Sequence, residues 1–192
     1  MKSSFWFLSR RFFFRLIAIS NYKLTHKLKH KTKAMKELRF FRMLVKQGAI
    51  NLVHKLQLLE AEMMAAATPD KKMRGKEEEI FQLYDNAIVS ATRSGIVQDG
   101  ALANYLCFQF IQTRAVKTQL ATNYFERSFE MWLAWGAWAV AKSLASRHPL
   151  MLYEGSSLSA SLNCGSRSSK LGLRSRPRFD ARLSLQHQVL AL

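Results

Sequence analysis

Hydrophobic positions recur along the middle of this chain at the spacing of an α-helix, with no sustained two-residue alternation to compete. In NLVHKLQLLEAEMMAAA, Leu52, Leu56, Leu59 and Met63 follow one another at i, i+4, i+7 and i+11. TPDKKMRG interrupts the pattern with Pro69 and Gly75. In KEEEIFQLYDNAIVSATRSG, Ile80, Leu83, Tyr84, Ala87, Ile88 and Ala91 make one stripe. Glu77, Glu78 and Glu79 open that stripe, where carboxylates meet the positive end of a helix dipole. Ala101, Leu102, Tyr105, Leu106, Cys107, Phe110 and Ile111 line a third helix. A fourth runs from Thr118 through SFEMWLAWG, with Leu120, Tyr124, Phe125, Phe129 and Trp132 facing inward. Gly136 ends or kinks it, and AWAVAKSLASRH supplies a fifth before Pro149. The fold class is all-α.

The cluster Gly95, Asp99 and Gly100 resembles a reactive loop until its neighbours are considered. Gly95 stands where a helix C-terminal glycine belongs, and Asp99 suits the N-cap of the next helix. The expectation is a tight antiparallel elbow rather than a catalytic aspartate. Upstream, KLTHKLKHKTKAMKELRFFRMLVKQ predicts a helix from about Lys31, with Leu38, Phe41, Leu44 and Val45 on one face. The organisation read from these patterns is a basic aromatic arm over 1–30, a helical domain over 31–148, and a Ser/Gly/Arg-rich tail over 149–192 expected to be disordered or only locally helical at its end.

Two segments repeat. Ile80, Tyr84 and Ala87 correspond to Ala121, Phe125 and Ser128, 41 residues later in each case. The spacing places a ring between smaller neighbours on one helix face, so an adjoining helix can receive it. This resembles the second helix of a tetratricopeptide repeat, although the period is longer and Ile80 replaces a small residue. A wider pattern is carried by His54, Lys55, Leu58, Leu59, Glu60, Ala61 and Glu62, then by Tyr84 to Ile88, then by the Gly95–Asn104 elbow. It ends on Trp135, Gly136 and Ala137, with Met131 where a tyrosine is usual. Residues 34–148 therefore resemble the tetratricopeptide-like region of large hybrid serine/threonine and histidine kinases. The resemblance implies antiparallel hairpins stacked as a right-handed array. It also implies a non-catalytic, truncated piece of a signalling scaffold, whose partner is another protein or the missing domains of a larger chain.

Charge changes this picture at one end only. The net +17 is concentrated in residues 1–47, where thirteen Lys and Arg face one Glu; residues 48–150 carry eleven against ten. Lys23, Lys27, Lys29, Lys31, Lys33 and Lys36 are the candidate polyanion contacts, for an anionic membrane or for nucleic acid through the arm. Ser9-Arg10-Arg11-Phe12-Phe13-Phe14-Arg15 is similar to a twin-arginine export pattern, but the apolar run after it stops at Asn21 and Lys23. On a helix, Arg10, Arg11 and Arg15 fall on one side, with Leu8, Phe12, Phe13, Leu16 and Ile19 mostly opposite. That suits an interfacial or organelle-targeting helix, or an arm packing on neighbours. Cys107 and Cys164 imply no disulfide framework, and a reducing, cytoplasmic compartment is the expectation.

Candidate chemistry is sparse. His54, Glu60 and Glu62 do not share a helix face, so a metal is not expected and a polar role between helices is. No phosphate loop or nucleophile motif occurs, and neither an enzyme nor a cofactor is expected. Trp132, Trp135 and Trp138 crowd three indoles into seven residues, more than one face can bury. Their exposed members, with the ridge of Tyr84 and Tyr105, form the candidate interaction surface.

Overall fold

A computed structural model describes residues 4–69, 73, 75–113, 118–149 and 151. Among these the chain forms seven α-helices, one 3₁₀ turn and no strand. The helices are α1 (Ser4–Thr25), α2 (Leu28–Lys46), α3 (Val53–Ala67) and α4 (Glu77–Arg93), followed by α5 (Val97–Gln112), α6 (Thr118–Ala134) and α7 (Trp138–Arg147). The 3₁₀ turn Ile50–Leu52 leads into α3. The tail expected to be disordered lies, apart from residues 149 and 151, outside the described residues, as does Cys164.

Each helix packs on the next in sequence, and α3 also touches α1 and α5. The reason is the pattern above. Each helix carries one apolar stripe, and short connections turn each stripe back onto its predecessor's. The elbow between α4 and α5 is built as expected. Gly95 takes φ +68, a left-handed conformation that costs glycine nothing and a side-chain-bearing residue about 1 kcal/mol. Its N–H then donates to Thr92 and that of Ile96 to Ala91, satisfying carbonyls at the end of α4. Gly136, at φ +80, repeats both bonds to Leu133 and Trp132 at the end of α6. Asp99 is not the cap, however. Ile96 precedes α5, and Asp99 lies inside its first turn with the side chain buried.

The core runs the length of the molecule. Both members of the sequence repeat occupy it: Ile80, Tyr84 and Ala87 from α4, and Ala121, Phe125 and Ser128 from α6, are all buried. Tyr84 tilts against Phe110 of α5, with 6.0 Å between ring centroids, and Phe125 against Phe108, at 5.1 Å. The small partners do what their size allows. Ser128 lets α6 approach α5 closely enough for its Oγ to donate to the carbonyl of Ala101 at 2.8 Å.

Residues 4–25, set apart above as a basic arm, form α1, and α1 belongs to the same core. Phe12, Leu16, Ile19 and Tyr22 are buried with Leu38 and Phe41 of α2 and with residues of α3. The arginine side of α1 does not face solvent as a unit. Arg15 is buried and Arg11 half-buried, because both pair with Glu37 of α2. Arg11 Nε donates to Glu37 Oε2 at 2.7 Å. The helix expected from Lys31 begins at Leu28.

Candidate functional site

Three buried carboxylates organise the polar interior. His54 and Lys55 open α3 next to the first turn of α5. There Asp99 accepts a hydrogen bond from Lys55 Nζ and lies 2.8 Å from His54 Nε2. Burial alone would raise the Asp99 carboxyl, but the His54 hydrogen bond and the Lys55 ammonium outweigh it and hold the group below the usual range. The helix N-terminus favours the same anion. Lys55 also stands over the ring of Phe12, 4.6 Å from its centroid, so α1 joins this junction.

Glu62, two turns further along α3, accepts a hydrogen bond from Tyr84 Oη and pairs with Lys23 of α1 at 2.7 Å. Burial, then the Glu62 charge, pushes the Tyr84 phenol well above its ordinary value. Glu37 serves α1 and α2 in the same way. Each carboxylate joins at least two helices, and each is enclosed.

These groups hold helices to one another. His54 and Asp99 are 2% and 4% exposed, so the dyad is enclosed between α3 and α5. His54, Glu60 and Glu62 turn to three different partners: Asp99, Arg42 of α2 and the Tyr84–Lys23 pair. No group of three or more His, Cys, Asp or Glu able to hold a metal occurs among the described residues. Cys107 is buried, and burial raises its thiol far out of the reactive range. Tyr124, which donates to Asp85 at 2.6 Å, is likewise raised by burial and that bond.

Of the five candidate contact residues, three are core. Tyr84, Tyr105 and Trp132 are almost fully enclosed, because each lies on the apolar stripe of its helix. Trp135 and Trp138 are not: they are 45% and 50% exposed. The cause is the turn at Gly136. It ends α6 at Ala134, places Trp135 at the cap, and starts α7 at Trp138 beyond the core's reach. Trp132 anchors the pair, with its ring centroid 5.7 Å from that of Trp135. In the run AWGAWA over 134–139, every residue except the half-buried Ala137 is exposed. This corner is apolar, contiguous and held by a buried indole.

The six candidate lysines divide as well. Lys23 is engaged by Glu62, and half-buried Lys31 stands over the Tyr22 ring at 5.8 Å. Lys27, Lys29, Lys33 and Lys36 are exposed. Two features escaped the sequence reading. One is Asp99 as the centre of an ionic junction, which periodicity cannot show because its partners are 44 and 45 residues away. The other is a set of outward aromatics on α1, namely Trp6, Phe7 and Phe14.

The end of α7 carries a titratable contact. His148 packs against Phe108, Phe125 and Tyr105, at 4.9, 5.5 and 6.0 Å between centroids. Burial, then Arg147, lowers its pKa, so the folded state favours neutral imidazole. The stability this contact contributes is complete above the unfolded value of about 6.5 and declines as pH falls below it. Melting temperature measured against pH should therefore fall more steeply below about pH 6.5 in the wild type than in His148→Phe. Identical profiles would refute the coupling.

The fold and these sites define an all-α protein with an enclosed polar interior and outward aromatic residues. No helix among the described residues is long and apolar enough to cross a membrane. No protein-family model, curated protein or solved structure matches the chain.

Proposed function

We propose that the chain is a non-catalytic helical-repeat module that binds a protein partner through the corner at Trp135 and Trp138. The observation that carries this reading is the exposed indole pair on an anchored turn. Tryptophan is costly to leave in water and is enriched where binding energy concentrates at protein interfaces. A rigid platform beneath it reduces the ordering cost of binding.

A tetratricopeptide-like array is the finer form of the proposal. It is supported by the order of packing, in which α1, α3 and α5 touch in succession while α2 and α4 pack on the helices either side of them. The buried rings of Tyr84 and Phe125 at equivalent repeat positions support it too. In such arrays a terminal hairpin presents a face for the next unit or for a partner. A place within a larger signalling chain of the hybrid-kinase kind fits the residues that resemble that region.

The reading is tested by comparing the tagged chain with W135S/W138S in extracts of the source cells. Both indoles are half exposed and outside the core cluster, so the double variant should keep its helical circular dichroism and lose on the order of 1–3 kcal/mol in thermal melts. On native gels the wild-type chain should migrate in a complex well above its own 22.1 kDa, and the variant should not. Migration of both in the same complex would contradict the assignment of the corner.

A further inference from the structure

The outward face of α1 has the wrong chemistry for a helix that meets only water. At about 100° per residue, Trp6, Arg10, Phe14 and Ile17 fall on one side of the helix. Phe7 and Leu24 flank them. Trp6, Phe7 and Phe14 are 52%, 48% and 48% exposed, and Leu24 is more exposed still. The opposite side of the same helix is already used, since Phe12, Leu16 and Ile19 are in the core. α1 is therefore apolar on both faces, with Arg10 as the exposed cation between the outer aromatics.

The neighbouring surface supplies the complementary charge. On α2, Lys29, Lys33 and Lys36 are exposed and recur at i, i+4 and i+7. They stand on the side next to α1, since Glu37 beside them pairs with Arg11 and Arg15. Arg11 continues the surface across the hairpin, with its guanidinium 3.8 Å from the Phe40 ring centroid and 5.2 Å from that of Phe7. An aromatic strip is thus bordered by a row of lysines that have no acidic partner among the described residues.

We propose that the α1–α2 hairpin docks on an anionic phospholipid bilayer surface, with Trp6, Phe7 and Phe14 entering the headgroup–acyl boundary and Lys29, Lys33 and Lys36 meeting lipid phosphates and carboxylates. Rings with apolar bodies between a hydrocarbon edge and a charged layer are what such an interface accommodates. Long lysine side chains reach from beside the helix to the headgroups. The helix lies on the membrane rather than across it.

Two other occupants fit less well. A second copy placed face to face would press Arg10 and the lysine row against their own equivalents, and like charges across an interface are penalised. Nucleic acid would need cations at the centre of the surface, where this one has Trp6, Phe14 and Ile17 around a single arginine. The proposal is independent of the protein-binding corner, which lies on α6 and α7.

The test uses the full chain and sedimentation with phosphatidylcholine vesicles made with and without phosphatidylserine. The wild type should partition onto the serine-containing vesicles, with retention falling as salt is raised. F7S/F14S should weaken that partition about tenfold while keeping its helical circular dichroism, since both rings are outside the core. K29E/K33E/K36E should remove the preference for phosphatidylserine, and W135S/W138S should bind as the wild type does. Equal partition onto both vesicle types, no partition onto either, or full partition by F7S/F14S would overturn the proposal. So would a concentration-dependent dimer that F7S/F14S abolishes, or DNA retention that the same change leaves intact.

Discussion

Replacing Asp99 with Ala should destabilise the chain by roughly 3–5 kcal/mol, the effect of removing one partner from a buried ion pair. The substitution leaves the Lys55 ammonium and the His54 ring enclosed without their anion. A cavity alone would cost less, because an aspartate side chain is small. The two causes separate in a second variant. Lys55→Met placed on Asp99→Ala removes the stranded charge and should recover part of the loss, on the order of 1–3 kcal/mol. If cavity formation were the cause, the second change would recover nothing. Acid should reproduce part of the effect. The Asp99 carboxyl is held below its ordinary value in the folded state, so its contribution is present above the unfolded value of about 3.9. That contribution is lost as pH falls toward the lower folded value, and urea titrations of wild type and Asp99→Ala should converge there.

Phe125→Ala should be comparably severe, at about 3–5 kcal/mol. The ring is fully enclosed and touches Phe108, Phe129 and His148, with 5.1, 6.3 and 5.5 Å between centroids. Its removal opens a cavity between α5, α6 and the end of α7 that none of these rigid aromatics can refill. For a chain of this length the loss corresponds to a fall in melting temperature of about 10 °C. Leu120, half-buried on the same helix, is the comparison: its replacement by Ala should cost clearly less. Equal effects at the two positions would mean that the ring is not the knob on which α5 and α6 pack.

Much of this architecture was legible in the sequence because helical periodicity reports which face is buried. The stripes through Leu56, Tyr84, Tyr105 and Phe125 are all core, and the Gly95 and Gly136 stops stand where they were expected. What periodicity cannot report is which partner a polar residue meets. Asp99 looked like a cap because its spacing from Gly95 allowed one, yet its carboxylate turns inward to residues of α3. Arg11 and Arg15 were placed with Arg10 on one side of a helix, but the periodicity did not say what that side meets. The clue to its partner was Glu37, the lone acid among thirteen cations and a neighbour of the apolar positions Leu38 and Phe41. A single carboxylate on a buried stripe attracts whatever cations the neighbouring helix offers.

The tryptophans show a different limit. Three indoles in seven residues signalled that some must be exposed, but the heptad spacing did not say which. The choice depends on the turn. Had α6 continued past Ala134, Trp135 and Trp138 would have shared its faces with Trp132; with Gly136 in a left-handed conformation they stand on the corner instead. The same local geometry leaves both outside the core cluster and half exposed to a partner.

The most direct test is photo-crosslinking in the source cells with a benzophenone side chain placed singly at 135, 138, 79 or 112. All four positions are exposed, and the last two lie at the start of α4 and the end of α5, whereas the α6–α7 turn follows Met131, which packs at Gly100 in the first turn of α5. The expected result is a discrete protein adduct from 135 and 138 that is absent from 79 and 112. Equal labelling at all four positions, or none at the corner, would contradict a partner-binding role for Trp135 and Trp138.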